Sequence, residues 1–193
     1  MKSPIDKQII LASNSPRRRE LLSHIAPDYI LAPAREIDES YPANLEPENV
    51  APYLSTLKAE AYSDLIDDRT VLITADTVVI IDGTILGKPH STDEAIDMLK
   101  KLSGRTHCVV TGVTLRSANN TRTFSCATQV HFDTLTDDEI HEYVDQYKPF
   151  DKAGAYGIQE WIGCRGIAGI NGCFYNVMGL PVNVLYNELK TFR

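Results

Sequence analysis

Val71-Leu72-Ile73-Thr74-Ala75-Asp76-Thr77-Val78-Val79-Ile80-Ile81, followed at once by Asp82-Gly83 and then Thr84-Ile85-Leu86, is the stretch on which the fold turns. It is dense in β-branched residues and apolar on both sides of Asp76, which predicts a long buried strand. Asp-Gly is the pair that a two-residue hairpin turn favours, because both central residues of that turn need positive φ, so a second short strand should fold back over 84–86. A single carboxylate interrupts the run. Burying Asp76 in such a strand is costly unless it meets a cation, a metal or several hydrogen-bond donors, which makes it a functional candidate. A place at a sheet edge, or bonding to loop N–H groups, is the alternative.

Toward the N-terminus, Ile9-Ile10-Leu11-Ala12 reads as a short buried strand. Ser15 and Pro16 then supply a preferred N-cap and a preferred first helical residue, predicting a helix through Arg17-Arg18-Arg19-Glu20-Leu21-Leu22. Residues 29–45, rich in proline and acid, read as an extended strand and loop. A further helix is expected from Glu46 or Pro47 to about Leu65, with Val50, Leu54, Leu57, Ala61 and Leu65 at helical spacing and Pro52 in its first turn or shifting its start.

Toward the C-terminus, Ser91 and Glu94 have capping-box spacing ahead of the apolar face Ala95, Ile96, Met98, Leu99 and Leu102, and Gly104 ends that helix. Two strands, Cys108–Arg116 and Arg122–Phe132, should pair antiparallel around Ser117-Ala118-Asn119-Asn120. Thr136 to Glu139 is a second capping box, opening a helix to about Asp145 or Gln146, and a last helix should run from near Pro181 to about Leu189. Between them lie Gly154, Gly157, Gly163, Gly166, Gly169, Gly172 and Gly179. This density argues for loops or short strands over a site rather than regular helix. Helices, strands and hairpins alternate without a repeat, so the fold class is α/β or α+β with a mixed twisted sheet.

The 193 residues suit one globular domain or two small lobes sharing a core. With 19 Lys+Arg against 26 Asp+Glu, the net charge of −7 gives no support to binding a nucleic-acid backbone or an anionic membrane, so any anion must be held by a local basic site. No apolar run reaches the roughly 18 residues of a membrane span, and the charged start does not resemble a signal peptide. Cys108 and Cys126 lie in apolar alternating stretches, and Cys164 and Cys173 lie among glycines without a close Cys or His. Reduced, packed cysteines in a cytoplasmic protein are expected.

Three arginines in the first turn of a helix oppose the helix dipole, and a bound phosphate would offset this. A solvated basic face paired with Glu20 or Asp28 is the competing reading. Lys88, within Gly87-Lys88-Pro89, has a backbone that fixes where its ammonium points. Lys58 sits one residue from the apolar stripe of its helix and could reach water or a cleft. Asp38-Glu39 offers carboxylates for a hard cation such as Mg²⁺, or a solvated acidic loop. Gln159 closes Asp151-Lys152-Ala153-Gly154-Ala155-Tyr156-Gly157-Ile158-Gln159, and its amide could read both donor and acceptor edges of a base. None of the histidines has a Ser, Cys or second His at catalytic or ligand spacing, and neither a P-loop nor a Rossmann glycine motif is present.

Taken in order, Leu11-Ala12-Ser13-Asn14-Ser15-Pro16-Arg17-Arg18, Ala75-Asp76-Thr77, Gly87-Lys88-Pro89, Leu102-Ser103-Gly104, the Asp151 to Gln159 run and Gly179-Leu180-Pro181 resemble the Maf family of nucleoside triphosphate pyrophosphatases, from about residue 9 to the C-terminal helix. The resemblance implies a fold related to the inosine triphosphate pyrophosphatases: a single Maf-like domain over residues 1–193, with two lobes on one elongated mixed sheet and a cleft between them. It implies hydrolysis of a nucleoside triphosphate to a monophosphate and pyrophosphate with a divalent cation, Mg²⁺ or Mn²⁺. Residue by residue it makes Asp76 the general base, places Ser13, Arg18, Lys58 and Lys88 at the triphosphate, and puts Glu39, with Asp76, on the metal side. Arg17, Thr77 and Gln159 match the specificity positions of members acting on dTTP and UTP, whereas the 7-methyl-GTP subgroup carries Trp, Gln and Glu there. The Trp161 to Gly166 stretch and Asn14 depart from the family pattern.

On this reading Asp76 orients or deprotonates a water for attack at the α-phosphorus, and the basic residues neutralise a tetra-anion. A non-catalytic nucleotide sensor regulating cell division, or a pyrophosphatase for another modified nucleotide, are the rival functions. A triphosphate substrate without nucleic acid or membrane partners, a cytoplasmic location and an open question over a homodimer complete the expectations.

Overall fold

The computed structural model describes residues 3–192. In chain order its elements are β1 (Gln8–Leu11), α1 (Pro16–Ser23), β2 (Ile30–Leu31), α2 (Pro47–Ala61), β3 (Thr70–Ile81), β4 (Thr84–Leu86), α3 (Thr92–Leu102), β5 (Thr106–Arg116), β6 (Thr121–Phe132), α4 (Asp137–Tyr147), α5 (Trp161–Gly166), β7 (Ile167–Asn171), α6 (Phe174–Met178) and α7 (Val182–Thr191). One seven-stranded sheet runs β2-β1-β3-β5-β6-β7, with β4 on β3. It is mixed: β1 lies parallel to β2 and β3, while β4 on β3 and β7 on β6 are antiparallel. The fold is therefore mixed α/β, as the alternation of elements required.

The long apolar run forms β3, and Asp82 (φ 50°) and Gly83 (φ 71°) make the turn that sets Ile81 opposite Thr84. Ser15 caps α1 by accepting from the Arg18 N–H, and Thr136 and Glu139 form the reciprocal capping box of α4. At α3 the box is only half formed. Ser91 caps Glu94, but the Glu94 carboxylate accepts from the His90 N–H instead of the cap residue. The Ser117 N–H to Asn120 carbonyl bond closes the β5–β6 turn, and Thr114 meets Thr123 at 2.9 Å three residues out on each strand, which is antiparallel register.

Two compact units are formed. The first takes residues up to Asp76, Thr111–Cys126 and Gly179 onward; the second takes Thr77–Val110 and Ala127–Met178. In the first, Ile10 and Leu72 from adjacent strands pack with Ala59 and Tyr62, so the C-terminal turns of α2 are seated on the sheet face. Arg122 in β6 bonds Glu188 and Thr191, fixing α7. In the second, the tilted and edge-on rings of His107, Phe132 and Tyr156 form an aromatic centre.

Four expectations need correction. Pro52 is not in the first turn of α2 but inside the helix. At that point α2 passes close over β5, where a Cβ on Gly112 would lie 2.2 Å from Pro52 N. The helix also ends at Ala61, with a separate 3₁₀ turn at Ser63–Leu65. The glycine-rich region holds α5 and α6 as well as loop and strand. Gly163 sits inside α5 because a Cβ there would lie 1.7 Å from the Ile158 carbonyl oxygen, so space rather than flexibility demands it. None of the four cysteines forms a disulfide, as expected, but Cys164 is exposed rather than packed.

Candidate functional site

Asp76 ends the first unit's share of β3, and its carboxylate finds the cation that its burial requires. Lys58 Nζ lies 2.6 Å from Asp76 Oδ1, with the two side chains only 14% and 13% exposed. The same ammonium is 3.1 Å from Glu39 Oε1, in the 32–45 loop. Lys58 thus bridges the two carboxylates singled out in the sequence. Three local features set this geometry. Thr74, on the same face of β3 as Asp76, donates to the Ser55 carbonyl at 2.6 Å and so ties the strand to α2 one turn before Lys58. Ser55 Oγ meets Thr114 Oγ1 at 2.8 Å, tying α2 to β5. Arg35 makes a two-pronged ion pair with Asp64, bonds the Ala61 carbonyl and lies over the Tyr62 ring, which holds the loop bearing Glu39 to the end of α2.

Arg18 enters this region from α1. Its Nε donates to the Gly179 carbonyl and its Nη1 to the Ala75 carbonyl, each at 2.8 Å. Gly179, at φ 115°, turns the chain so that its carbonyl faces the guanidinium. Burial holds the Arg18 guanidinium below the usual arginine range, the charges of Asp76 and Glu39 oppose that shift, and Arg17 adds to it. Two of the five guanidinium donors therefore anchor the backbone of Gly179 and of Ala75, the residue before the carboxylate. Ser13, in the β1–α1 loop, accepts from the Ser15 N–H at 3.2 Å, and its carbonyl accepts from Arg19 Nε. Arg17 is half-buried on α1.

In the second unit, Thr77 begins that unit's share of β3, Lys88 is exposed after the β4 hairpin, and Gln159 is exposed in a turn. The Gly154 N–H donates to the Gly87 carbonyl at 3.0 Å, which joins the Lys88 loop to the segment leading to Gln159. Gly154, at φ 68°, presses within 3.1 Å of Val79 where a Cβ would be, and so seats that segment on β3.

Nothing in the sequence marks Thr74, Ser55 or Thr114 as functional, since their bonds form only in the tertiary fold. Only the Gly-Leu-Pro spacing at 179–181 points toward Gly179. Among the described residues no three His, Cys, Asp or Glu side chains gather as a metal-binding group. The carboxylates brought together at Lys58 are those of Glu39 and Asp76.

Fold and site define a mixed α/β protein with a strand-borne carboxylate clamped by a helix lysine beside a half-buried arginine, a constellation suited to an anionic substrate and an attacking water. The chain belongs to the Maf family: the family described as Maf-like protein matches residues 8–192. A dTTP/UTP pyrophosphatase of Bacteroides thetaiotaomicron is 51% identical over 191 residues, 98% of this chain and 99% of that one. One of Porphyromonas gingivalis with the same name is 56% identical over 187 residues, 96% of this chain and 94% of that one. A solved nucleoside-triphosphatase, titled dITP/XTP pyrophosphatase, from Mycobacterium abscessus aligns with 66% of this chain and 75% of its own at 13% identity and a TM-score of 0.41.

Proposed function

We propose that this chain hydrolyses dTTP and UTP to the monophosphate and pyrophosphate. The observation that carries the reading is the Lys58–Asp76 pair. A carboxylate set in an apolar strand, fixed by an ammonium and flanked by Arg18, is what in-line attack on a polyanion needs, and relatives matched over nearly their whole length carry that activity in their names. Asp76 accepts the proton of the attacking water and aims it at the α-phosphorus. The new P–O bond forms as the α–β bridging P–O bond breaks, and the pyrophosphate leaves with its electron pair. Ser13, Arg18, Lys58 and Lys88 meet phosphate oxygens, with the cationic members offsetting charge that the protein's net −7 does not. Arg17, Thr77 and Gln159 select the base. Gln159, offering both donor and acceptor, suits the imide face of thymine and uracil.

Glu39 and Asp76 are hard oxygen donors, and two carboxylates completed by substrate phosphates and water suit Mg²⁺ or Mn²⁺. These two residues would hold the ion, which when bound supplies charge neutralisation at the phosphates. Lys58, now shared between them, keeps the pair together in the free protein. No helix among the described residues is long and apolar enough to cross a membrane, and we place the work in the cytoplasm, where nucleotide pools lie and free cysteines persist. Incubation with a panel of canonical and modified triphosphates plus Mg²⁺ or Mn²⁺ tests the proposal. Pyrophosphate should appear fastest from dTTP and UTP; orthophosphate release, or binding without turnover, contradicts it.

A further inference from the structure

Gln159 lies in a tight turn whose two ends are held by a buried polar network that the catalytic reading does not use. The Glu160 N–H donates to the Gly157 carbonyl at 3.0 Å, which closes the turn Gly157-Ile158-Gln159-Glu160. At its start, the Gly157 N–H donates to the Tyr143 hydroxyl at 3.1 Å. That hydroxyl in turn donates to Glu160 Oε2 at the end of the turn, so one phenol grips both ends. The other Glu160 oxygen is 3.1 Å from Lys152 Nζ, which also meets Asp151 Oδ1 at 2.7 Å. Tyr143 and Lys152 are buried, and Tyr143 projects from α4, an element that otherwise has no part in the site.

Gly157 is the floor of this arrangement. A Cβ there would come within 2.8 Å of the Glu160 carboxyl carbon and 3.0 Å of Gln159 Nε2. The amide of Gln159 and the carboxylate of Glu160 therefore both lie over the Gly157 Cα, and displacing one disturbs the other. From below, α5 locks the turn: the Gly163 N–H bonds the Glu160 carbonyl at 2.9 Å, and the Ile158 carbonyl closes on the bare Gly163 Cα.

We propose that Tyr143, Lys152 and Glu160 are positioning residues for base selection, holding the Gln159 turn in one conformation so that its amide meets the base preorganised. This rests on the reading that Gln159 contacts the base. A long amide on an exposed turn loses rotamer and backbone entropy when it binds, and a turn already fixed at both ends lowers that cost. Burial, followed by the Glu160 carboxylate, pushes the Tyr143 hydroxyl above its ordinary range, so it stays protonated, a donor to Glu160, at neutral pH.

The test is steady-state hydrolysis of dTTP, UTP and dCTP by the full chain, by Tyr143→Phe and Glu160→Gln, and by each combined with Gln159→Ala. The ratio of kcat/KM for dTTP over dCTP should fall in Gln159→Ala. It should fall about three- to tenfold in Tyr143→Phe, mainly through a higher KM for dTTP. In the Gln159→Ala background neither clamp substitution should change the ratio further. If Gln159→Ala leaves the ratio intact, the base-contact reading fails and the proposal with it. A ratio that responds to Gln159→Ala but not to either clamp substitution, or that drops just as far when Gln159 is already alanine, overturns the positioning role alone. Should Tyr143→Phe lose its circular dichroism signature of folding, Glu160→Gln carries the same comparison, since it keeps the side-chain size and an acceptor while removing the negative charge that faces Lys152.

Discussion

Replacing Gly112 with alanine probes how the reactive pair is held without touching it. Gly112 lies in β5 where α2 crosses the strand, and a Cβ at that point would sit 2.2 Å from Pro52 N, 2.3 Å from the Ala51 carbonyl carbon and 2.4 Å from Pro52 Cα. Every one of these is a backbone atom, so no side chain can rotate out of the way. Reaching ordinary contact at 3.4 Å requires α2 to retreat by about 1.2 Å. Lys58 rides on that helix, less than two turns further on, and its 2.6 Å bond to Asp76 would lengthen beyond hydrogen-bond range. The 2.6 Å Thr74–Ser55 bond and the 2.8 Å Ser55–Thr114 bond would stretch with it. Overpacking costs about 1–3 kcal/mol, and each buried bond lost adds roughly 1 kcal/mol. A misplacement near 1 Å in a catalytic constellation lowers kcat by on the order of a hundredfold. Urea denaturation and pyrophosphate release, measured at a temperature where the variant is folded, read the two effects separately. A Gly112→Ala protein with the parent's stability and turnover would refute the idea that α2 docking sets the Lys58–Asp76 pair.

Asp76→Asn should cut turnover by about a hundred- to ten-thousand-fold while dTTP still binds, because the amide cannot take the proton; near-parental turnover sinks Asp76 as the base. Arg18→Ala should lower both the melting temperature and nucleotide affinity, and Arg18→Lys should not restore stability, since a single ammonium cannot span the Gly179 and Ala75 carbonyls; full rescue by lysine contradicts this. His107 is buried, and burial, with the charge of His131 adding to it, depresses its pKa from 6.5 to about 4. It is neutral in the fold, so as pH falls from its unfolded value toward about 4 the unfolded chain takes up a proton that the fold excludes, and roughly 3 kcal/mol of stability is lost. Urea midpoints between pH 7 and 4.5 should therefore fall less steeply in His107→Phe than in the parent; equal slopes exclude His107 as the cause.

The legible parts of this fold were those set by neighbours in sequence. The β-branched run, the Asp82-Gly83 turn and the Thr136–Glu139 box each carry their structure within a few residues, and each formed as read. Pro52 inside α2 and the short helix α5 meet what lies across from them, Gly112 and the Ile158 carbonyl, which no local pattern reveals. The site divides the same way. A lone carboxylate in β3 announced that a cation must reach it, but which cation depended on α2 packing onto the sheet through Ala59 and Thr74. Three arginines at the start of α1 pose a choice between a bound anion and a solvated basic face, and no local pattern shows that Arg18 also bonds carbonyls 57 and 161 residues away, contacts that only the tertiary fold creates.

Hydrolysis of dTTP in ¹⁸O-labelled water tests the central claim, attack of an Asp76-activated water at the α-phosphorus, most directly. Mass spectrometry of the products should find one labelled oxygen in dTMP, none in pyrophosphate, and no label in either product with Asp76→Asn over the same interval. Label in the pyrophosphate, or release of orthophosphate and a diphosphate, would place the attack at another phosphorus and contradict the account.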